Sequence, residues 1–226
     1  LVIGTDTGVG KTHVTATIVQ GLRYNQRKVW LHKSVACGDW DGQSSGDGRA
    51  LRALAGDGQD PNTVCAKEFA HDCSPHIAAK MSHASWTEKD ILQHFDACDQ
   101  GNHDLVVEGA GGLLAPLGSD DCDIRALACA RSLPTVLVTR PHLGTINHTR
   151  LSVEVARQCG MQLIGLIINH HQPNLTGIAV NYAATELARL CALPILAELP
   201  YGTAVEPALA SGLAASILRA TGARAP

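Results

Sequence analysis

Short runs of consecutive apolar residues alternate with stretches of helical periodicity along nearly the whole chain. The runs predict strands at 1–4, 29–35, 105–108, 135–139, 163–168 and 194–199. Helical spacing predicts helices near 11–25, 47–55, 87–99, 124–132, 147–158, 177–190 and 205–220. A run such as Thr135-Val136-Leu137-Val138 lacks polar alternation, which suits a strand covered on both faces. Strand–helix alternation at this spacing predicts an α/β fold, with a doubly wound, mostly parallel sheet and helices on both faces. At 226 residues the chain is long enough for one full-sized core, so a single domain over 1–226 is expected. The interval 36–84, rich in Gly, Asp and Ser, is the irregular part. Loops beyond the carboxyl ends of the strands build the ligand site in such sheets.

The first strand–helix junction carries the clearest chemistry. Gly4-Thr5-Asp6-Thr7-Gly8-Val9-Gly10-Lys11-Thr12 follows an apolar stub and opens a helical pattern. A glycine-rich turn of this kind points backbone N–H groups at one spot, before a helix N-terminus carrying roughly +0.5 of an elementary charge. Polyphosphate suits that concavity, with Lys11 on the terminal phosphates and the Thr12 hydroxyl on Mg²⁺. Measured back from Gly10, the common loop would place its first glycine at Thr5; here it is Gly4, so the loop is one residue longer. Three further strand ends, at Lys33, Glu108 and Asn169, are expected to open on the same edge. Lys33 ends an apolar strand, where it reads either as a snorkelling surface lysine or as a second ammonium for phosphoryl or acceptor charge. Glu108 begins Glu108-Gly109-Ala110-Gly111-Gly112, a hard oxygen ligand for Mg²⁺ or a turn that needs glycine. Asp47 is an N-cap, a second Mg²⁺ carboxylate, or both, with Asp39 and Asp41 as competitors for the metal. Gly144-Thr145-Ile146-Asn147 precedes another helix and reads equally as ordinary capping or as a nest for a second anion.

Composition narrows the partners. Eighteen basic against 21 acidic residues leave no electrostatic footprint for nucleic acid. No apolar stretch is long enough to span a bilayer and no signal peptide is visible; Leu1 already stands in a strand, so the native start is expected upstream. The eight cysteines lack paired CxxC spacing and are expected to be reduced thiols of a cytoplasmic protein. Cys73-x-x-His76 lacks a second half for zinc, and His170-His171 reads as a surface pair.

Taken in order, the long loop 4–12, Lys33-x-Val35, Ser74-Pro75-His76, Glu108-Gly-Ala-Gly-Gly with Pro116 after it, Leu143-Gly144-Thr145-Ile146-Asn147-His148 and the strand-end Asn169 resemble the dethiobiotin synthetase family over essentially the whole chain. The resemblance implies a P-loop NTPase-type ligase of biotin biosynthesis. It would close the ureido ring of dethiobiotin from 7,8-diaminononanoate, CO₂ from bicarbonate, and ATP with Mg²⁺, through a carbamate and a carbamic–phosphoric anhydride. It also implies site residues. Gly8, Val9, Gly10, Lys11, Thr12 and His13 would bind nucleotide, and Asn169 would read the base. Lys11 and Lys33 would be catalytic; Thr12, Asp47 and Glu108 would hold Mg²⁺. Thr7, Lys33, Cys37 and Gly111 would approach the diamine. Gly144, Thr145, Ile146 and Asn147, with Tyr182, would receive the substrate carboxylate from the second subunit of a homodimer. The chain departs from the family pattern at Ser34, usually proline, and Cys37, commonly a small hydroxyl residue. It departs too at Gly8, acidic in some relatives, and after Pro200, where Glu206 is the first acidic residue.

Two rivals share this kind of fold. An amidoligase would normally need a glutaminase partner with a nucleophilic cysteine, for which 226 residues leave no room. A regulatory, partner-binding ATPase would carry another lysine early in the loop, where Gly4-Thr5-Asp6 stands, and a basic membrane helix. The tail 216–226 offers only Arg219 and Arg224.

Overall fold

Six strands form one all-parallel sheet in the order β2-β5-β1-β6-β7-β8. They are β1 (Val2–Gly4), β2 (Val29–Lys33), β5 (Asp104–Gly112), β6 (Thr135–Thr139), β7 (Leu163–Asn169) and β8 (Ile195–Leu199). The computed structural model describes residues 1–56, 58–99, 101–202 and 205–223; Arg224 lies outside them. Successive side chains of a strand point to opposite faces, and both faces are apolar. Val136 and Val138 pack with Val14, Ile18 and Leu22 of α1 (Lys11–Tyr24) and Leu213 of α9 (Pro207–Thr221). Leu137 between them joins the opposite core, with Phe95 of α5 (Glu88–Cys98), Leu127 of α6 (Ile124–Ala130), Val153 of α7 (Thr145–Gln158) and Leu187 of α8 (Ile178–Cys191). Two-sided burial explains the unbroken apolar runs. The sheet and its flanking helices are therefore those that the pattern predicts.

The chain leaves β1 toward β2 on one side, and β6 lies on the other, so the topological switch point falls at β1. The carboxyl end of β1 is where the phosphate loop begins. Edge strand β2 is blunted by a side chain: Gln59 accepts from Leu31 N at 2.9 Å and donates to Leu31 O at 2.6 Å, imitating a neighbouring strand.

Three features depart from the sequence expectations. Strand β2 stops at Lys33 rather than continuing to Val35, because the chain turns off to form β3 (Ala36–Cys37), paired in parallel with β4 (Glu68–Phe69). The interval read as irregular thus holds this small second sheet, together with α2 (Gly46–Leu54), α3 (Pro61–Val64) and α4 (Pro75–Met81). Strand β5 runs on through the glycines to Gly112, which pairs with Gly4. Glu108 therefore lies inside a strand, not at its end.

His32 of β2 is fully buried, edge-on to Phe95 with ring centroids 5.9 Å apart. Burial lowers its pKa to about 4, so the ring is neutral in the fold. A folded pKa below the unfolded value of about 6.5 gives stability that is complete above pH 6.5 and lost as pH falls toward 4. The loss from this residue approaches about 3 kcal/mol. Urea melts from pH 7 to 4 should show it, and the acid limb of His32→Phe should be flatter than that of the parent.

Candidate active site

Register builds the centre of the site. In the parallel pairing of β2 with β5, Lys33 stands opposite Glu108, and both side chains point the same way. Lys33 Nζ donates to Glu108 Oε1 at 2.6 Å and to Asp47 Oδ2 at 2.6 Å. The lysine is 1 % exposed, which removes the snorkelling reading. Burial alone would lower its pKa, but the Glu108 and Asp47 carboxylates hold it above the ordinary lysine value. Burial likewise opposes ionisation of Asp47, and Lys33 outweighs it, leaving that carboxyl below its usual range.

Asp47 arrives from α2, whose N-terminus is pinned from β4. Glu68 Oε2 accepts from Ser45 N at 2.7 Å and Ser45 Oγ at 2.6 Å, while Arg52 closes on the other oxygen. Ser45 is the N-cap, accepting from Gly48 N at 3.1 Å. Asp47 is thus in the first turn and free of the capping role offered for it. Its competitors are engaged elsewhere: Asp39 and Asp41 pair with Arg49 at 2.9 Å and 3.2 Å.

The phosphate loop closes over this network. Gly8 and Gly10 adopt positive φ, +72° and +89°, open to glycine at little cost. At Gly10 a Cβ would also lie 2.1 Å from Asn169 Nδ2. That amide donates to Val9 O at 2.9 Å, tying the end of β7 to the loop. No side chain caps the N-terminus of α1, so its first N–H groups are left for a ligand. Lys11 Nζ reaches back to Asp6 O at 3.1 Å. Burial, and next the Lys33 charge, lower its pKa to about 8. Thr12 Oγ1 donates between Asp47 Oδ1 at 3.2 Å and Glu108 Oε1 at 3.0 Å.

These groups border a cavity of about 660 Å³. Of the residues singled out in the sequence, Thr7, Gly8, Gly10, Lys11, Thr12, Lys33, Cys37, Asp47 and Gly111 line it, as does Asp39, one of the rival carboxylates. Glu108 stands behind Lys33, and Val9 is buried beneath the loop. His13, partly buried with its pKa lowered for that reason, is not in the lining. Asp72, Cys73 and Ser74 line the cavity too, with no site role expected of them from the sequence. They enter with the β4–α4 turn, whose only trace in the sequence is Ser74-Pro75. Burial pushes the Cys37 thiol up to about 12.

A Mg²⁺ ion fits the donor set. Glu108 Oε2 is buried without a hydrogen-bond partner, and it adjoins a hydroxyl and a second carboxylate, all hard oxygen donors. Among the described residues no trio of His, Cys, Asp or Glu could hold a metal alone. The ion would therefore draw on Thr12 and phosphate oxygens.

A second hollow of about 270 Å³ lies past Asn169, between His170, Glu198, Pro200 and Tyr201. Asn169 is buried with its Oδ1 unpartnered. The remaining expected residues lie away from both cavities. Gly144 starts α7 with φ +96° and no side-chain cap, Thr145 Oγ1 is 2.8 Å from Thr139 Oγ1, and Tyr182 is 61 % exposed on α8.

Comparison with known proteins agrees with this reading. The profile of an AAA domain family matches residues 1–208. The ATP-dependent dethiobiotin synthetase BioD of Anaeromyxobacter dehalogenans (strain 2CP-C) is 35% identical over 219 residues, covering 96% of this chain and 97% of that protein. That of Bacillus velezensis is 33% identical over 199 residues, 88% of this chain and 84% of the relative. Among solved structures, the cell division ATPase MinD of Pyrococcus furiosus superposes with a TM-score of 0.60 at 14% identity, covering 96% of this chain and 98% of its own. At that identity the likeness establishes the fold, an α/β sheet of the kind described. No helix among the described residues is long and apolar enough to cross a membrane. With relatives 33% and 35% identical that it matches over 84% and 97% of their length, the chain belongs to the ATP-dependent dethiobiotin synthetase family.

Proposed function

We propose that this protein closes the ureido ring of dethiobiotin, taking 7,8-diaminononanoate, CO₂ and ATP to dethiobiotin, ADP and phosphate. The observation that carries the reading is the network that joins buried Lys33 and Glu108 to Asp47 and Thr12 at the cavity wall, beside a phosphate loop. Such a site positions and neutralises charge and contains no nucleophilic triad, which is what phosphoryl transfer asks of a protein.

One amine adds to CO₂ and gives a carbamate. Its oxygen is a poor leaving group, so it takes the γ-phosphoryl group of ATP, releasing ADP and forming a carbamic–phosphoric anhydride. The second amine attacks the carbonyl carbon, the C–O bond to phosphate breaks, and inorganic phosphate leaves with the ring closed. Lys11 and Lys33 face the transferring group from two sides and stabilise its spread negative charge; Lys33 also meets the carbamate. Mg²⁺ held by Thr12, Asp47 and Glu108 would neutralise phosphate charge there. Thr7, Cys37 and Gly111 border the space for the diamine. Gly8 to His13 hold the nucleotide, and the unpartnered Asn169 Oδ1 accepts from the exocyclic amine of the base, which enters the hollow beside Tyr201.

The carboxylate of the diamine is received by Gly144–Asn147 and Tyr182 of a second copy in a cytoplasmic homodimer. Supporting this, Leu143 is 92 % exposed, and Leu151, 58 % exposed, lines a groove with Leu113, Leu114 and Val155. The uncapped start of α7 adds an anion-binding end to that face.

Three outcomes are expected. Phosphate release from ATP should require diaminononanoate and bicarbonate together; turnover indifferent to the diamine rejects the reading. Lys11→Ala should lower kcat by about 10²–10³, as loss of a preorganised charge on the transition state does. Leu151→Glu should be monomeric on a sizing column and show a raised KM for the diamine at unchanged affinity for nucleotide. A monomer with unaltered KM removes the second subunit from the site.

A further inference from the structure

Lys33 occupies a position that two partners claim. Its ammonium lies 2.6 Å from Asp47 and 2.6 Å from Glu108. Thr12 Oγ1 touches the same two carboxylates, at 3.2 Å and 3.0 Å. Those three side chains are also the oxygen donors that fit a divalent cation. Two like-signed ions at contact distance from one carboxylate pair repel each other, most strongly around Glu108, which is 1 % exposed, and less at Asp47, which is 47 % exposed. One of them has to yield. Lys33 is the one able to do so, because its flexible stem already borders the substrate cavity, where it shares the lining with Thr7 and Cys37.

Resting on the function proposed above, we infer that Lys33 and the divalent cation compete for the Asp47–Glu108 pair, so that loading the metal turns the ammonium from Asp47 into the cavity and onto the carbamate. Metal and carbamate then bind cooperatively through one side chain, and the ammonium reaches the acceptor only when the phosphate-neutralising cation is in place. Linkage makes the effect reciprocal: a carbamate that captures Lys33 tightens the metal. Beside the path of the ammonium the run 109–112 carries only the Ala110 methyl, and Ala115 packs against Gly111.

The test uses Mn²⁺ as probe, its affinity read by electron paramagnetic resonance on the protein carrying a non-hydrolysable ATP analogue. Lys33→Met keeps an unbranched stem, one atom shorter, and removes the charge, and should bind Mn²⁺ about tenfold more tightly than the parent. Diaminononanoate with bicarbonate should tighten Mn²⁺ severalfold in the parent and leave Lys33→Met unchanged. Equal or weaker Mn²⁺ binding by folded Lys33→Met overturns the inference. Should that variant not fold, a crystal of the parent with Mn²⁺ and the analogue decides. Lys33 Nζ beyond ion-pair reach of Asp47 supports the exchange, and persistence of both 2.6 Å contacts overturns it. Mn²⁺ that binds the protein complex no better than the free analogue would reject the metal site itself; Mn²⁺ bound with Lys33 unmoved rejects only the competition.

Discussion

An ammonium buried to 1 % exposure is the constraint around which the molecule is arranged. A charge so far from water needs partners at contact distance, and removing one partner of such a pair costs about 3–5 kcal/mol. Lys33 has two, and each comes from a different level of the fold. Glu108 is supplied by strand register, since β2 and β5 pair with these residues opposite one another. Asp47 is supplied by the irregular layer, through a helix held in place by Glu68, Ser45 and Arg52. The small β3–β4 sheet therefore acts mechanically, carrying Glu68 to the start of α2 and so aiming Asp47 at the lysine.

The main sheet was legible because burial on both faces writes itself into the sequence as unbroken apolar runs. Val136, Leu137 and Val138 each have a core to enter, so no polar alternation interrupts them. The layer over the carboxyl edge was not legible. Strands of two residues have no period, and β3 and β4 are held by one another and by side-chain contacts that no local pattern announces. The glycines after Glu108 misled for a related reason. Glycine is poor in strands, yet here the run continues the pairing with β1 as far as Gly112 opposite Gly4, and at Gly111 a positive φ and the methyl of Ala115 leave no place for a side chain.

Within the site, legibility tracks how local the chemistry is. The phosphate loop is one continuous segment, and its glycines, lysine and threonine could be read directly. Lys33 could be singled out because a lysine ending an apolar strand is anomalous, although its burial could not be foreseen. Asp47 could be named only among three candidates, and the choice came from Arg49, which engages both Asp39 and Asp41. Asn169 was readable as a strand end, but its second role, an amide packed where a Gly10 side chain would have to go, depends on a contact 160 residues apart in the chain.

The fold by itself does not select a reaction. The MinD cell division ATPase of Pyrococcus furiosus shares this sheet at 14% identity, so the sheet alone does not say which reaction is served. What distinguishes this chain lies in the residues facing the terminal phosphate. An acceptor such as a carbamate is an anion, and bringing it to another anion requires positive charge that is held away from bulk water until needed. Lys33 meets that requirement because its carboxylate partners keep it charged while buried; a surface lysine would be fully charged but screened. Lys11 is the converse: burial first, and then the charge of Lys33, lower its pKa to about 8. The two ammonium groups thus differ in what holds their charge: two carboxylates at 2.6 Å hold it on Lys33, whereas among the described residues Lys11 has only a backbone carbonyl, Asp6 O, at 3.1 Å.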